Sequence, residues 1–363
     1  MPGGADPPLG SRMKKVSYIL SVVLAVAFAA SCSKDIPTKV QDPSDEAWRY
    51  DLDLPVPIRF AADPDLTKAS ISSLDDLQGK SVGVFGFEKS PQSYNTDDNL
   101  MMRNIMAECI VDDGVGSLQT DEEWYYPLNQ DAIEYEFCSY YPRNNSGYIS
   151  SDTQILVNVP VTNLYDVLWA KASVEDGFNG AYIRANGPVP SFEYKHKTAC
   201  ITFRASTNVA DAGVKIMFVK FVDVPTTAQL CVADLENPSN VGNFISYSQN
   251  TEWSARRLDS GASGTLDVLL TSTPQAVCQP TFVAPCKTLK IKVDVRYGGS
   301  SKANWVEFEL DPADLGAERG EEGFLAEYHY AFDLKVISPT EVEFALESGS
   351  VFDFEENQWQ DAF

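Results

Sequence analysis

The sequence contains few of the residues, and none of the short motifs, that catalytic and metal sites most often use. Two histidines occur in 363 residues, His196 and His329, and they are far apart in the chain. No two of the seven cysteines form a C-x-x-C pair, so the ligand spacing of common zinc sites is missing. The motifs G-x-S-x-G, H-E-x-x-H, G-x-G-x-x-G and the phosphate-binding loop are missing too. We therefore predict that the protein is not an enzyme and binds neither a metal nor a cofactor.

Basic residues are also scarce. The chain has 28 Lys and Arg against 52 Asp and Glu, for a net charge of −24. Nucleic acids require a basic protein face, and anionic headgroups attract polybasic segments, so this charge argues against both partners. Apolar residues make up 44% of the chain, which is enough for a folded core, and the length suits two domains.

Long apolar runs are missing except at the N-terminus. Met13–Lys15 supplies positive charge, and the apolar run Val16–Ala30 follows it, as in a signal peptide. Ala29–Cys32 then resembles a bacterial lipobox, in which a diacylglycerol is attached to the cysteine and the chain is cut before it. We predict a signal peptide over residues 1–31 with Met13 as the start, and lipidation of Cys32. The alternative is an ordinary secreted protein with a chance cysteine.

The residues after Cys32 are polar, charged and proline-containing up to residue 54, which predicts a tether between the lipid and the folded part. The other six cysteines are predicted to be mostly free and buried, although their even number permits disulfides, and a bridge between Cys278 and Cys286 remains an alternative. These six are Cys109, Cys138, Cys200, Cys231, Cys278 and Cys286.

Short alternating runs of apolar and polar residues, separated by Gly and Pro turns, continue to the C-terminus and predict an all-β protein with few short helices. One exception is the segment 98–110, in which Met101, Met102, Ile105, Met106 and Cys109 have helical spacing and predict a short helix. The turn-rich sequence near Gly187 is the predicted domain boundary. We therefore expect two β-sandwiches, at residues 55–187 and 188–363.

Single residues offer few candidate sites. His196 alternates with Phe192 and Tyr194 on one strand face, which predicts a packed, hydrogen-bonded core histidine rather than a ligand. Tyrosines and tryptophans such as Trp124 and Tyr140 are typical of a core or sheet edge, and sugar stacking is the alternative.

Several segments together resemble the fimbrillin family of Bacteroidetes, the lipoprotein subunits and accessory proteins of surface pili. The resemblance lies in the order and spacing of four motifs, which run from the first half into the second. Their residues include Trp124 and Pro127 in W-x-x-P, Tyr141 and Pro142 after Phe137, Asp166 and Trp169 in "DVLWA", and His196 and Phe203 in "FEYKHKTACITF". The late segment "LAEYHYAFDLKV" departs from the family pattern before its strand.

The resemblance implies two transthyretin-like β-sandwiches in tandem with Greek-key character, carried by a lipid anchor to the outer membrane and the cell surface. It also implies assembly with other pilus subunits: an arginine-specific protease removes an early strand, and a C-terminal strand of the next subunit fills the resulting groove by β-strand addition. Anchor subunits of the family are not cleaved in this way and keep their lipid. The cleavage candidates in this sequence are Arg49 and Arg59. Arg49 lies before the first clear strand and Arg59 inside it, so neither follows a removable strand, which favours an anchor or tip subunit in adhesion, with a host protein or glycan as a candidate receptor.

The C-terminal segment supplies the candidates for a donor strand. Apolar residues alternate with acidic ones and continue into a short apolar tail, so the segment either enters a neighbouring subunit or completes its own sheet. The candidates are Val342, Phe344, Leu346, Val351, Phe352 and Phe354. An alternative function for the whole chain is a surface glycan-binding lipoprotein of a polysaccharide-uptake system.

Overall fold

The structure is a computed structural model that describes residues 43–62, 74–94, 99–113, 115–128, 132–162, 164–313, 322–338 and 341–353. Ala47–Phe363 group into one unit, and of the separate unit Met1–Glu46 only residues 43–46 are described. The predictions for the signal peptide and Cys32 lie outside the described residues. None of the described helices has the length and apolar character needed to cross a membrane.

Strands dominate the first half of the chain. They are β1 (Val56–Pro57), β2 (Phe60–Ala62), β3 (Ser81–Glu88), β4 (Leu100–Asp112), β5 (Val115–Thr120), β6 (Tyr125–Tyr126), β7 (Tyr135–Tyr141), β8 (Ile149–Ser150), β9 (Gln154–Pro160) and β10 (Leu168–Ala172). The helices described along the chain are short: α-helices at Leu74–Leu77 and Gly180–Arg184, and 3₁₀ helices at Pro43–Arg49, Ala210–Ala212 and Pro238–Asn240.

The second half continues in the same way. Its strands are β11 (Ser191–Phe192), β12 (Lys195–His196), β13 (Ala199–Thr207), β14 (Lys215–Val224), β15 (Thr227–Asp234), β16 (Phe244–Tyr247), β17 (Thr251–Ser254), β18 (Val268–Leu269), β19 (Gln275–Ala276), β20 (Thr281–Val283), β21 (Leu289–Arg296), β22 (Trp305–Leu310), β23 (Tyr328–Ser338) and β24 (Glu341–Asp353). The all-β prediction is confirmed. The alternating runs form strands because alternation places one side-chain face in a core and the other towards solvent.

The first core lies inside a curled eight-stranded sheet. The strand order is β11-β2-β5-β4-β3-β7-β10-β12. Its two edges, β11 and β12, are separated by only Glu193 and Tyr194, so the edges must lie close together and the sheet curls into a nearly closed barrel. Phe60, Phe137 and Phe192 are among the buried residues inside it.

A four-stranded sheet packs on the outside of this barrel. Its order is β16-β15-β9-β8, and its residues share a core with Phe85, Cys138 and Tyr140 of the barrel. Strands from both sides of residue 187 therefore pair with each other in two sheets: β11 and β12 complete the barrel, and β15 pairs with β9. The predicted domain limits at 55–187 and 188–363 stay a prediction.

Two five-stranded sheets enclose the third core. One contains β19-β13-β23-β24 with β20, and the other contains β17-β14-β21-β22 with β18. Phe203 of β13 and Phe221 of β14 face each other across this core with ring centroids 6.0 Å apart. This arrangement is a β-sandwich around apolar inner faces, which we call the second sandwich because it follows the barrel in the chain.

The prediction of a helix in segment 98–110 is wrong, because residues 100–110 lie in β4, which is a strand throughout. The reason is a bulge: Val84 pairs with Ile105 and Gly86 with Met102, so β4 has one residue more than β3 between these pairs. Asn104 lies there with φ 52°, in the left-handed region. The extra residue interrupts the two-residue period and makes the apolar spacing look helical.

Candidate functional site

Residues 56–62, which we call the covering strand, form part of the barrel wall. Val56, Ile58, Phe60 and Ala62 expose between 2% and 7% of their surface, whereas Arg59 between them is exposed. The alternation follows from the strand geometry, which directs every second side chain inward. All four inward-facing side chains of this segment are therefore part of the barrel core.

The covering strand is hydrogen-bonded along both of its parts. β1 pairs with β6, and the Ile58 amide donates to the Trp124 carbonyl over 2.7 Å. β2 lies between β5, to which it is antiparallel, and β11, to which it is parallel. Because β2 has a neighbour on each side, its removal would leave a slot between β5 and β11.

Phe60 is the largest inward side chain of the covering strand. Its ring centroid lies 5.1 Å from that of Phe137 on β7 and 5.4 Å from that of Phe192 on β11. Such edge and tilted contacts add to the burial of aromatic surface. Phe60 therefore connects the strand to both the middle and the edge of the barrel sheet.

The residues just before the covering strand are also held on the barrel, although the sequence placed them in the tether. The Trp48 side chain is buried in the barrel core, and the Arg49 guanidinium lies 4.8 Å from its ring centroid. Arg49 Nη1 also donates to Asn186 Oδ1 over 2.9 Å. Arg184 Nε donates to the Trp48 carbonyl over 3.1 Å, and its Nη2 donates to the Leu54 carbonyl.

These contacts predict that Arg49 is a poor protease site. Replacing Arg184 with alanine should raise the rate of cleavage after Arg49 roughly ten- to hundredfold, because hydrogen bonds from a charged donor that oppose local opening are lost. The measurement is the appearance of the fragment that begins at Tyr50, by mass spectrometry, under limiting arginine-specific protease.

Arg184→Lys is the matched variant: it keeps the charge but lacks the forked guanidinium that reaches both carbonyls, so its rate should be intermediate. An unchanged rate in Arg184→Ala would show that these contacts do not protect the bond.

A buried polar group joins β10 to the segment that enters the second half. Asp166, His196 and Thr198 are each at most 1% exposed. His196 Nδ1 lies 2.8 Å from Asp166 Oδ2, and Thr198 Oγ1 donates to Asp166 Oδ1 over 3.1 Å. Since Leu168 and His196 pair across β10 and β12, the carboxylate receives both side chains at the closing edge of the barrel.

The structure thus brings together Asp166 and His196, which the sequence singled out, and adds Thr198, which it missed. The signal for Thr198 was its place two residues after His196, on the same inward face of an extended chain. Arg184 and Trp48 were also missed. A single tryptophan in an otherwise polar tether was the available signal for Trp48.

The other family-motif residues lie in different places. Trp124, half-buried, contributes the carbonyl that receives the Ile58 amide, and Pro127 follows β6 closely. Tyr141 ends β7, and its bond to Pro142 is cis. These four residues border the barrel, whereas Phe203 is buried in the core of the second sandwich.

Trp169 lies on the outer face of the barrel, where the loop after β15 meets it. Its ring is in close contact with Gly242, because a Cβ at this position would lie 2.7 Å from Trp169 Cε3. Gly242 has φ 77°, so both the space and the backbone favour glycine. Trp169 also lines a cleft of about 700 Å³ together with Glu136, Lys171 and Leu235.

The C-terminal candidates belong to an edge of the second sandwich. The backbone of β24 pairs antiparallel with β23, from Tyr328 opposite Asp353 to Ser338 opposite Glu341. Val342, Phe344, Leu346, Val351 and Phe352 lie within β24, and Phe354 lies outside the described residues.

Six cysteines are described, all as free thiols: five are buried and Cys286 is partly buried. Burial raises the pKa of Cys109 to about 11 and that of Cys138 to about 12, so both stay protonated at neutral pH. Within the described ranges, no group of three or more His, Cys, Asp or Glu side chains is placed to hold a metal ion.

Comparison with known proteins gives similarity in fold. A candidate cell adhesion protein from Bacteroides uniformis is 18% identical, with a TM-score of 0.51, and the match covers 82% of this chain and 98% of that one. A second candidate adhesion protein, from Bacteroides ovatus, is 13% identical with a TM-score of 0.45, over 83% and 97% of the two chains. A fimbrial assembly protein from Parabacteroides distasonis is 10% identical with a TM-score of 0.43, over 82% and 98%. No curated protein matches the sequence.

The family comparison covers most of the chain. The model described as fimbrillin-like matches residues 67–307, which span the barrel from β3 onwards and the second sandwich up to β22. The resemblance read from the motifs is thereby confirmed: the chain belongs to the fimbrillin-like family.

Proposed function

We propose that the protein is a cell-surface fimbrial subunit that is anchored by lipid on Cys32 and joins other subunits by β-strand addition. Membership of the fimbrillin-like family supports a role in fimbriae. The observation that carries the assembly mechanism is the covering strand, whose β2 lies between β5 and β11. A strand from another subunit in that slot would gain backbone hydrogen bonds on both sides and core pockets for alternate side chains.

Within the fimbria, we propose an accessory position at the anchor or the tip. A stalk subunit needs an accessible arginine after the strand that is removed. Here Arg49 is bonded to Asn186 and stacked on Trp48, while Arg59 lies between two buried residues of the covering strand itself. Both arrangements support retention of the N-terminal segment, and with it retention of the lipid, so a strand from another subunit would have to displace the covering strand from the slot rather than enter a slot opened by proteolysis.

The C-terminal donor hypothesis has less support. β24 is already paired with β23 over most of its length, so a donor role for residues 341–353 requires those hydrogen bonds to break first. The pairing supports the alternative that this segment completes its own sheet.

The glycan-binding alternative gains no specific support. A sugar platform needs neighbouring exposed aromatic rings. The exposed ones in the described part of the chain, Tyr50, Tyr125, Tyr165, Tyr247 and Trp305, lie on five different elements or loops.

Strand exchange provides the test. A specific protease site is introduced between Ala62 and Leu74 of the unlipidated protein, and the cut protein is incubated with a labelled peptide of residues 55–62. We expect the cut protein to bind the peptide in a complex that resists SDS, because the peptide replaces the covering strand in the slot.

The control peptide carries Ile58→Asp and Phe60→Asp and should not bind, since burying unpaired carboxylates is costly. Uncut protein should bind neither peptide. If the cut protein also binds neither, or binds both equally, strand addition at this slot is refuted.

A further inference from the structure

The loop just before the covering strand exposes an unusual amount of apolar surface. Tyr50 is 89% exposed, Leu52 is 73% exposed and Leu54 is 37% exposed. They alternate with Asp51 and Asp53, a pattern that would normally bury one face of a strand. We call residues 50–54 the apolar loop. Three large apolar side chains within five residues form a patch of the kind that marks a contact site.

The apolar loop has a defined shape. The amides of Tyr50 and Asp51 both donate to the Ala47 carbonyl, over 3.1 and 3.0 Å. The Asp53 amide donates to Asp51 Oδ1 over 3.0 Å, which forms a turn stabilised by the side chain.

Both ends of the loop are attached to the barrel. Arg184 donates to the carbonyls of Trp48 and Leu54, and the Trp48 side chain is buried beneath. The loop is therefore already ordered, and little conformational entropy would be lost when its exposed side chains contact a partner.

The position of the loop in the chain points to its partner. Only residues 33–47 lie between the predicted lipid on Cys32 and Trp48, which with Arg49 directly precedes the loop. Even fully extended, a chain of that length reaches no more than roughly 50 Å. An anchored protein would therefore keep the loop at a high effective concentration near the bilayer, where a weak affinity is sufficient for contact.

We propose that the apolar loop contacts the membrane surface, with Tyr50 and Leu52 entering the boundary between headgroups and acyl chains. This inference rests on the proposed lipid anchor. Tyrosine is suited to that boundary because its ring is apolar and its hydroxyl remains hydrated. The carboxylates of Asp51 and Asp53 disfavour an anionic surface, so the partner is a surface of zwitterionic lipid.

The contact has a consequence for proteolysis. Arg49 directly precedes the apolar loop, so a loop resting on the bilayer also brings this peptide bond close to the lipid surface. Membrane contact would then add to the protection that the Arg184 hydrogen bonds provide.

The test uses lipidated full-length protein in phosphatidylcholine vesicles that contain nitroxide-labelled lipid. An environment-sensitive fluorophore is attached to Leu52→Cys, and for comparison to Leu269→Cys, which replaces a leucine that is 53% exposed in the second half of the chain. Protein without an added cysteine measures the background, since five of the six described native thiols are buried. We expect strong quenching at position 52, little at position 269, and loss of the quenching at 52 when Tyr50→Ser and Leu54→Ser are added.

Three results would overturn the proposal, each in a different way. If the protein floats with the vesicles but the two positions are quenched equally, the loop does not contact the bilayer. If added fimbrial subunits, and not lipid, shield position 52, the occupant is a protein. If the protein does not float at all, the lipid anchor itself is refuted, and with it the membrane contact that depends on it.

Discussion

Replacing Phe60 with alanine should lower the free energy of unfolding by about 3–5 kcal/mol, the usual cost of removing a fully packed aromatic side chain. Phe60 is 4% exposed and lies within 5.4 Å, between ring centroids, of both Phe137 and Phe192. The substitution leaves a cavity where the middle of the barrel sheet meets its edge. Chemical denaturation of the unlipidated protein measures the effect.

The control is Leu269→Ala, which shortens a leucine that is 53% exposed and should change stability by no more than about 0.5 kcal/mol. The double variant Phe60→Ala/Phe192→Ala should lose less than the sum of the two single losses, because the rings share a contact. A loss below about 1 kcal/mol for Phe60→Ala would contradict the placement of the covering strand in the barrel core.

The second large effect is expected for Asp166→Ala. The change removes the Asp166 acceptor from His196 Nδ1 and from Thr198 Oγ1, so two buried side chains each lose one hydrogen bond. At about 1–3 kcal/mol for each of the two buried hydrogen bonds, the loss should be about 2–6 kcal/mol. Chemical denaturation again measures it, and His196→Ala should lose about 1–3 kcal/mol.

Two further variants separate hydrogen bonding from charge. Asp166→Asn keeps the shape: its amide oxygen accepts from Thr198 and its NH₂ group lies against His196 Nδ1, so the loss should be smaller than for alanine. Asp176→Ala removes an exposed carboxylate a few residues after β10 and should be nearly neutral. Equal losses for Asp166→Asn and Asp166→Ala would show that the group depends on the negative charge rather than on the hydrogen bonds.

The family and the strands could be predicted from the sequence, because both depend on local patterns of residues. Alternation in segments such as Ala199–Thr207 predicts a half-buried strand wherever it occurs, and the structure forms β13 there. The order of the motifs around Trp124, Trp169 and His196 likewise identified the family without any knowledge of their contacts.

The segment around Asn104 shows where local reading failed. Two-residue alternation predicts a strand only while the period is unbroken. The bulge at Asn104 shifts it, and the unbranched methionines nearby have a good helix propensity. The hydrogen bonds that β4 forms with β3 and β5 on its two sides outweigh that helix propensity.

The candidate site was decided by contacts between residues far apart in the chain. His196 could be predicted to need a hydrogen-bond partner, but Asp166 lies 30 residues earlier, and Arg184 lies 130 and 136 residues after the residues whose carbonyls it bonds. No local period relates such positions.

The sequence by itself therefore determined the β class, the family and the inward faces of the strands, because these follow from the period of apolar residues along one chain segment. Only the tertiary structure decided that β11 and β12 close the barrel, that β2 lies in the slot between β5 and β11, and that Trp48 belongs to the core rather than to the tether. The physical reason is that barrel closure and side-chain docking depend on which strand edges and surfaces meet in space. The sequence around a buried residue does not show whether its neighbour comes from the next strand or from the far end of the sheet.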